Sequence, residues 1–128
     1  MKITTFVKYA LAGAVPVFLL LQQSAIQSLA KGMPSDEQII HISASTFEFK
    51  PSEITVKKGV PVTLELVSQD RHHGFKLLEF HLQADIKPGI VEKLRFVPDK
   101  VGTFTFFCDV FCGEGHEDMS GTLKVIER

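Results

Sequence analysis

The chain has no surplus of positive charge. Fourteen Lys and Arg face fifteen Asp and Glu, for a formal net charge of −1 over 128 residues, with no basic stripe anywhere. A nucleic-acid partner therefore has no electrostatic basis. An ordinary membrane span is missing too: the apolar run Tyr9–Leu21 has 13 residues, against the roughly 20 that cross a bilayer. Helical periodicity is absent after residue 31, and there is no internal repeat or low-complexity tract, which argues against bundles and solenoids. No Trp is present, which leaves eleven Phe to supply the aromatic part of a core. Nothing groups a nucleophile, an acid and a base around a substrate pocket, so catalysis is not expected.

The N-terminus has a targeting pattern. Lys2 and Lys8 precede the short apolar run, and Ser28-Leu29-Ala30 offers a small-x-small site. This reads as a secretory signal cleaved after Ala30. The competing reading is an uncleaved anchor over residues 9–29, which would have to carry Gln22, Gln23 and Ser24 into the bilayer. Neither a twin-Arg pair nor a lipidated Cys is present, which favours general export. Residues 1–30 are thus a signal or anchor, 31–38 a polar linker, and 39–128 the folded domain. Export places Cys108 and Cys112, the whole cysteine content, in an oxidising compartment where a disulfide is the default.

The folded part alternates apolar and polar residues in short segments. Ile39–Ala44 reads as a first strand, with His41 facing solvent. Phe47 and Phe49 alternate until Pro51, and Ile54–Val56 resumes the pattern. Val60–Val67 (VPVTLELV) is the clearest strand, β-branched with period two. Gln69–His72 is a loop, Gly74–Leu78 a short strand, Phe80–Lys87 irregular, and Pro88-Gly89 a turn. Ile90–Val97, Thr103–Phe107 and Thr122–Ile126 complete an all-β set, spaced as in a β-sandwich.

Ligand chemistry is concentrated in Cys108–Gly121 (CDVFCGEGHEDMSG), with the spacing Cys-x3-Cys-x3-His-x2-Met. Thiolate, imidazole and thioether together select copper over Mg, Ca or Mn. A sandwich site needs another ligand from outside the loop, and Asp70-Arg71-His72-His73-Gly74-Phe75 offers one. His73 is the better choice, because Gly74 lets the backbone approach closely. His72 is the alternative. His81 reads as exposed, with a lesser claim to an auxiliary ligand role. Two other chemistries fit some of these residues. Cys108, Cys112, His116 and His73 make a Cys2His2 set for zinc, which would leave Met119 without purpose. A Cys108–Cys112 disulfide in a metal-free module is the other.

FEFKPSEITVKKGVPVTLEL, HGF and CDVFCGEGHEDMSG together resemble a cupredoxin of the dinuclear purple-copper (CuA) type. Such domains occur in subunit II of cytochrome c oxidase and at the C-terminus of nitrous-oxide reductase. The resemblance covers about Phe47 to Val125 and implies a Greek-key cupredoxin sandwich. It implies that Cys108 and Cys112 bridge two copper ions and that His73 and His116 cap one each. Met119 and the Val110 carbonyl would be the weak axial ligands. The implied function is electron transport outside the cytoplasm, with a cytochrome or a terminal oxidase or reductase as partner. Copper delivery from the same ligands is the alternative. Val110 departs from the Glu usual in the oxidase subunit, that subunit's two membrane helices are not seen, and five His are too few for the reductase's catalytic cluster. The expectation is a stand-alone copper domain. Phe107 and Phe111 are expected to shield the cysteines from water. Glu114, Glu117 and Asp118 are either solvated loop acids or an acidic docking face.

Overall fold

Period-two alternation sets the strands. The computed structural model describes residues 36–128, which form β1 (Gln38–Ser45), β2 (Glu48–Lys50), β3 (Glu53–Lys57), β4 (Val62–Ser68), β5 (His73–Leu77), β6 (Leu82–Ile86), β7 (Glu92–Phe96), β8 (Gly102–Phe107) and β9 (Ser120–Ile126). The only helical pieces among them are 3-10 turns at Leu78–Phe80 and His116–Asp118. None of the described helices is long and apolar enough to cross a membrane. The signal or anchor segment, and residues 31–35 of the expected linker, lie outside the described residues. Of the rest of that linker, Asp36 pairs with Arg128, Glu37 pairs with Arg95 at 2.9 Å, and Gln38 opens β1.

Two sheets form the sandwich, in the orders β2-β1-β4-β7 and β3-β9-β8-β5-β6. β1 runs parallel to β4, and β3 to β9; the other pairs are antiparallel. Strands distant in sequence become neighbours, as in a Greek-key cupredoxin sandwich. Each strand turns one set of alternate residues inward. β4 buries Val62, Leu64 and Leu66, and the other sheet answers with Ile54 and Val56 of β3 and with Phe75, Leu77, Phe106, Leu123 and Val125. Burying each such side chain contributes about 1.5–3 kcal/mol. Phe49, Phe75 and Phe106 form the centre, with ring centroids 5.2 to 6.1 Å apart. Phe80 packs on Phe96 and Phe104 at 5.2 Å each.

The outward residues of the first sheet also pair in register. His41, Glu65 and Lys93 stand side by side across β1, β4 and β7, and Glu65 reaches both neighbours at 2.9 Å. His41 therefore faces solvent, as its place in the strand implied. The sequence reading fails at Phe80–Lys87. This stretch is not irregular: a 3-10 turn leads into β6, which pairs with β5 over its whole length. The reversal uses His81 in the left-handed region (φ 54°) where a Gly or Asn would have announced a turn.

Candidate metal centre

The ligand loop is tied off at its base. β8 ends and β9 begins at the register pair Phe107–Ser120, and the Cys108 N–H donates to the Met119 carbonyl at 3.0 Å. The His116 N–H then bonds the Gly113 carbonyl, and the Met119 N–H bonds the His116 carbonyl, both at 3.2 Å. This winding brings His116 and Met119 back toward the cysteines. It needs Gly113 and Gly115 at positive φ (131° and 104°), conformations that side chains disfavour. The Phe47 ring presses on both: a Cβ on Gly115 would come within 2.8 Å of it.

The other histidine comes from the opposite side. His73 is the first residue of β5 and is fully buried. Adjacent strand residues point to opposite faces, which separates the two neighbouring histidines. His72 turns outward, half-exposed, and lies 3.3 Å from Asp85. Behind His73, the Gly74 N–H lies 3.3 Å from Cys108 Sγ. A Cβ at Gly74 would come within 2.0 Å of the Asp109 carboxylate, so this close approach requires glycine.

The donor atoms of His73, Cys108 and Cys112 all lie within 4.8 Å of one another, and all three residues are buried. The two thiols are free and 3.8 Å apart. Cys112 Sγ also lies 3.7 Å from His116 Nδ1 and 3.9 Å from the sulfur of the buried Met119. The Val110 carbonyl is 3.1 Å from Cys108 Sγ. His73, Cys108 and Cys112 thus share one spot, while His116 and Met119 border it beside Cys112 and the Val110 carbonyl borders it beside Cys108. His81 is exposed on the 3-10 turn before β6.

His73 supplies the test of whether a metal fits. Its Nε2 lies 2.6 Å from Asp70 Oδ1, while its Nδ1 is buried with no hydrogen-bond partner. Burying such an atom unsatisfied costs about 1–3 kcal/mol, and a metal bound beside the two thiols would satisfy it. A carboxylate behind a ligating imidazole fixes the ring's orientation and tautomer. The soft donor set and the orphaned nitrogen together fit copper. Burial pushes the Asp70 carboxyl up, but the Thr46 hydroxyl, the His73 ring and the N–H groups of Thr46 and Arg71 outweigh it. They hold the carboxyl far below the usual carboxylate range. The Cys112 thiol moves the other way: burial and the neighbouring Cys108 push it up, with Arg71 opposing. A metal taken up here must displace that proton.

Thr46, Asp70 and Arg71 escaped the sequence reading as partners of the site. Asp70 stands three residues before His73, a spacing that hints at pairing, but Thr46 is visible only in three dimensions. Phe111 contradicts its expected shielding role. It is 77% exposed, because strand alternation stops at Phe107 and the loop turns this ring outward beside His116, 5.9 Å between centroids. Phe107 is half-buried.

Residues 10–125 match the family model of the cupredoxin-like domain. The chain belongs to the cupredoxin-like family. This cupredoxin is 28% identical to cytochrome c oxidase subunit 2 of Thermus thermophilus over 92 residues, 72% of the chain and 68% of that relative. It is 29% identical over 90 residues to nitrous-oxide reductase of Stutzerimonas stutzeri, covering 67% of the chain but 14% of the enzyme. Its fold matches the crystal structure of the periplasmic domain of cytochrome oxidase subunit II from Bradyrhizobium japonicum. The TM-score is 0.67 at 20% identity, with 73% of this chain and 87% of that one covered. The family and the buried His–Cys–Cys group together mark the protein as a copper binder.

Proposed function

We propose that this cupredoxin is an exported electron carrier. In this reading His73, Cys108, Val110, Cys112, His116 and Met119 hold a pair of copper ions of the CuA type. The observation that carries the reading is the buried, unpartnered His73 Nδ1 beside two free thiols and a thioether. The copper pair, when bound, supplies one-electron chemistry. The chain's own residues do the rest. Asp70 orients the His73 ring, and the sandwich fixes the strands that carry it. The buried sulfurs stay out of water, which favours a site that changes little between redox states.

The solvent side gives the route for electrons. His116 is half-buried, and its ring neighbours the exposed Phe111. Glu114, Glu117 and Asp118 stand exposed around it. An apolar tip ringed by acids suits a basic redox protein such as a cytochrome, drawn in by opposite charge. A second metal held through the side chain at position 110 is not available to Val110. We place the protein outside the cytoplasm, free or tethered through residues 9–29, and assign it no catalytic reaction.

Copper analysis with electron paramagnetic resonance tests the proposal. Two coppers per chain and a hyperfine pattern from two equivalent nuclei are expected. One copper or none after loading overturns the pair. Rapid transfer of copper to an apo-acceptor, with slow electron self-exchange, would replace the carrier by a delivery protein.

A further inference from the structure

We infer that Arg71 is a positioning residue that clamps the ligand loop and raises the reduction potential of the copper pair. The inference rests on the copper reading above. Arg71 Nη1 donates to the Cys112 carbonyl at 3.0 Å, across 41 residues of sequence. Its own backbone is held on both sides: its N–H bonds Asp70 Oδ1 at 2.7 Å and its carbonyl accepts the Ser68 hydroxyl. The guanidinium therefore projects from a fixed base. It also lies 3.4 Å from the point where a Cβ on Gly113 would stand, and the Phe47 ring lies 3.1 Å from the same point. The cation and the aromatic ring thus both close on the side of Gly113 where a side chain would stand. Holding the Cys112 carbonyl holds the orientation of its Sγ, the atom that sits near Cys108, His116 and Met119.

Charge gives the clamp a second effect. Arg stays protonated at every working pH. Reduction adds an electron to a centre that already carries two thiolates, so a fixed cation beside the loop favours the reduced form. Asp70, Glu114, Glu117 and Asp118 surround the same region with negative charge, but Asp70 is engaged by Thr46 and His73. Arg71 is itself exposed, so salt must weaken this influence.

The test compares Arg71→Met and Arg71→Lys with the wild type. An exposed position leaves the fold intact in both. In copper-free, reduced protein, amide hydrogen exchange over residues 112–116 should speed up roughly tenfold in Arg71→Met, the worth of one hydrogen bond from a charged donor. In copper-loaded protein the reduction potential should fall in Arg71→Met and recover in Arg71→Lys. The gap between Arg71→Met and wild type should shrink as salt rises. Unchanged exchange overturns the clamp, and an unchanged or salt-independent potential overturns the electrostatic role. The exchange measurement needs no copper, so a failure of the copper proposal would be seen separately from a failure of the clamp.

Discussion

The two imidazoles of the centre are held by opposite means. His73 is fully buried, starts a strand in the middle of a sheet, and has a carboxylate behind its ring. His116 is half-buried on a single 3-10 turn, beside an exposed Phe. One comes from the scaffold and the other from a loop. The difference separates two tasks. In the proposed centre the strand side would fix geometry before metal arrives, and the loop side would give access from solvent. A rigid framework that presents its working groups on loops does this in general.

The largest effect should come from removing what both sides share. Cys112→Ser is expected to lower copper from two per chain to at most one, measured by metal analysis, since Cys112 lies within 4 Å of His116 and Met119 as well as Cys108. Next is a direct contrast of the imidazoles. His116→Gly should regain its copper spectrum when free imidazole is added, because that position is partly open. His73→Gly should not, because nothing reaches a fully buried cavity as readily; equal rescue would erase the distinction. Gly74→Ala should destabilise the fold by roughly 1–3 kcal/mol in denaturant unfolding, because the new methyl meets the Asp109 carboxylate.

A smaller effect concerns acid. The Asp70 carboxyl lies below its unfolded value of about 3.9, held there against burial by Thr46, His73 and Arg71. A depressed carboxyl stabilises the native state fully at neutral pH, and that share is lost as the pH falls below about 4. Asp70→Asn should therefore be less stable than wild type at pH 7, with the gap closing in acid. A gap independent of pH would remove the ionised carboxylate from the account. The smallest effect on the fold belongs to the loop tip. Phe111→Ser should leave stability within about 0.5 kcal/mol while slowing electron exchange with a basic partner protein.

Much of this could be read from the chain. The alternation in VPVTLELV placed β4 and its inward Val62, Leu64 and Leu66, because a strand's period is a local property. The spacing of Cys108, Cys112, His116 and Met119 marked the loop for the same reason. Gly74 pointed to His73 over His72, and His73 is the one buried beside the two thiols, since backbone approach leaves a trace in the sequence. What stayed hidden depended on distant partners. β6 was missed because His81 fills a position that Gly or Asn usually marks, although Leu82, Ala84 and Ile86 do alternate. Thr46 and Arg71 reach the site across 24 and 41 residues, with no periodic signal to link them. Phe111 was placed on the wrong side because a loop obeys no alternation.

The hydrogen bond that joins Cys108 to Met119 where the loop leaves the sheet has an evolutionary consequence. The segment between those two residues hangs from a closed neck, so insertions, deletions or swapped donors inside it need not propagate into β8 or β9. The sandwich can keep its shape while the metal it serves changes, much as a socket outlives the bulbs fitted to it.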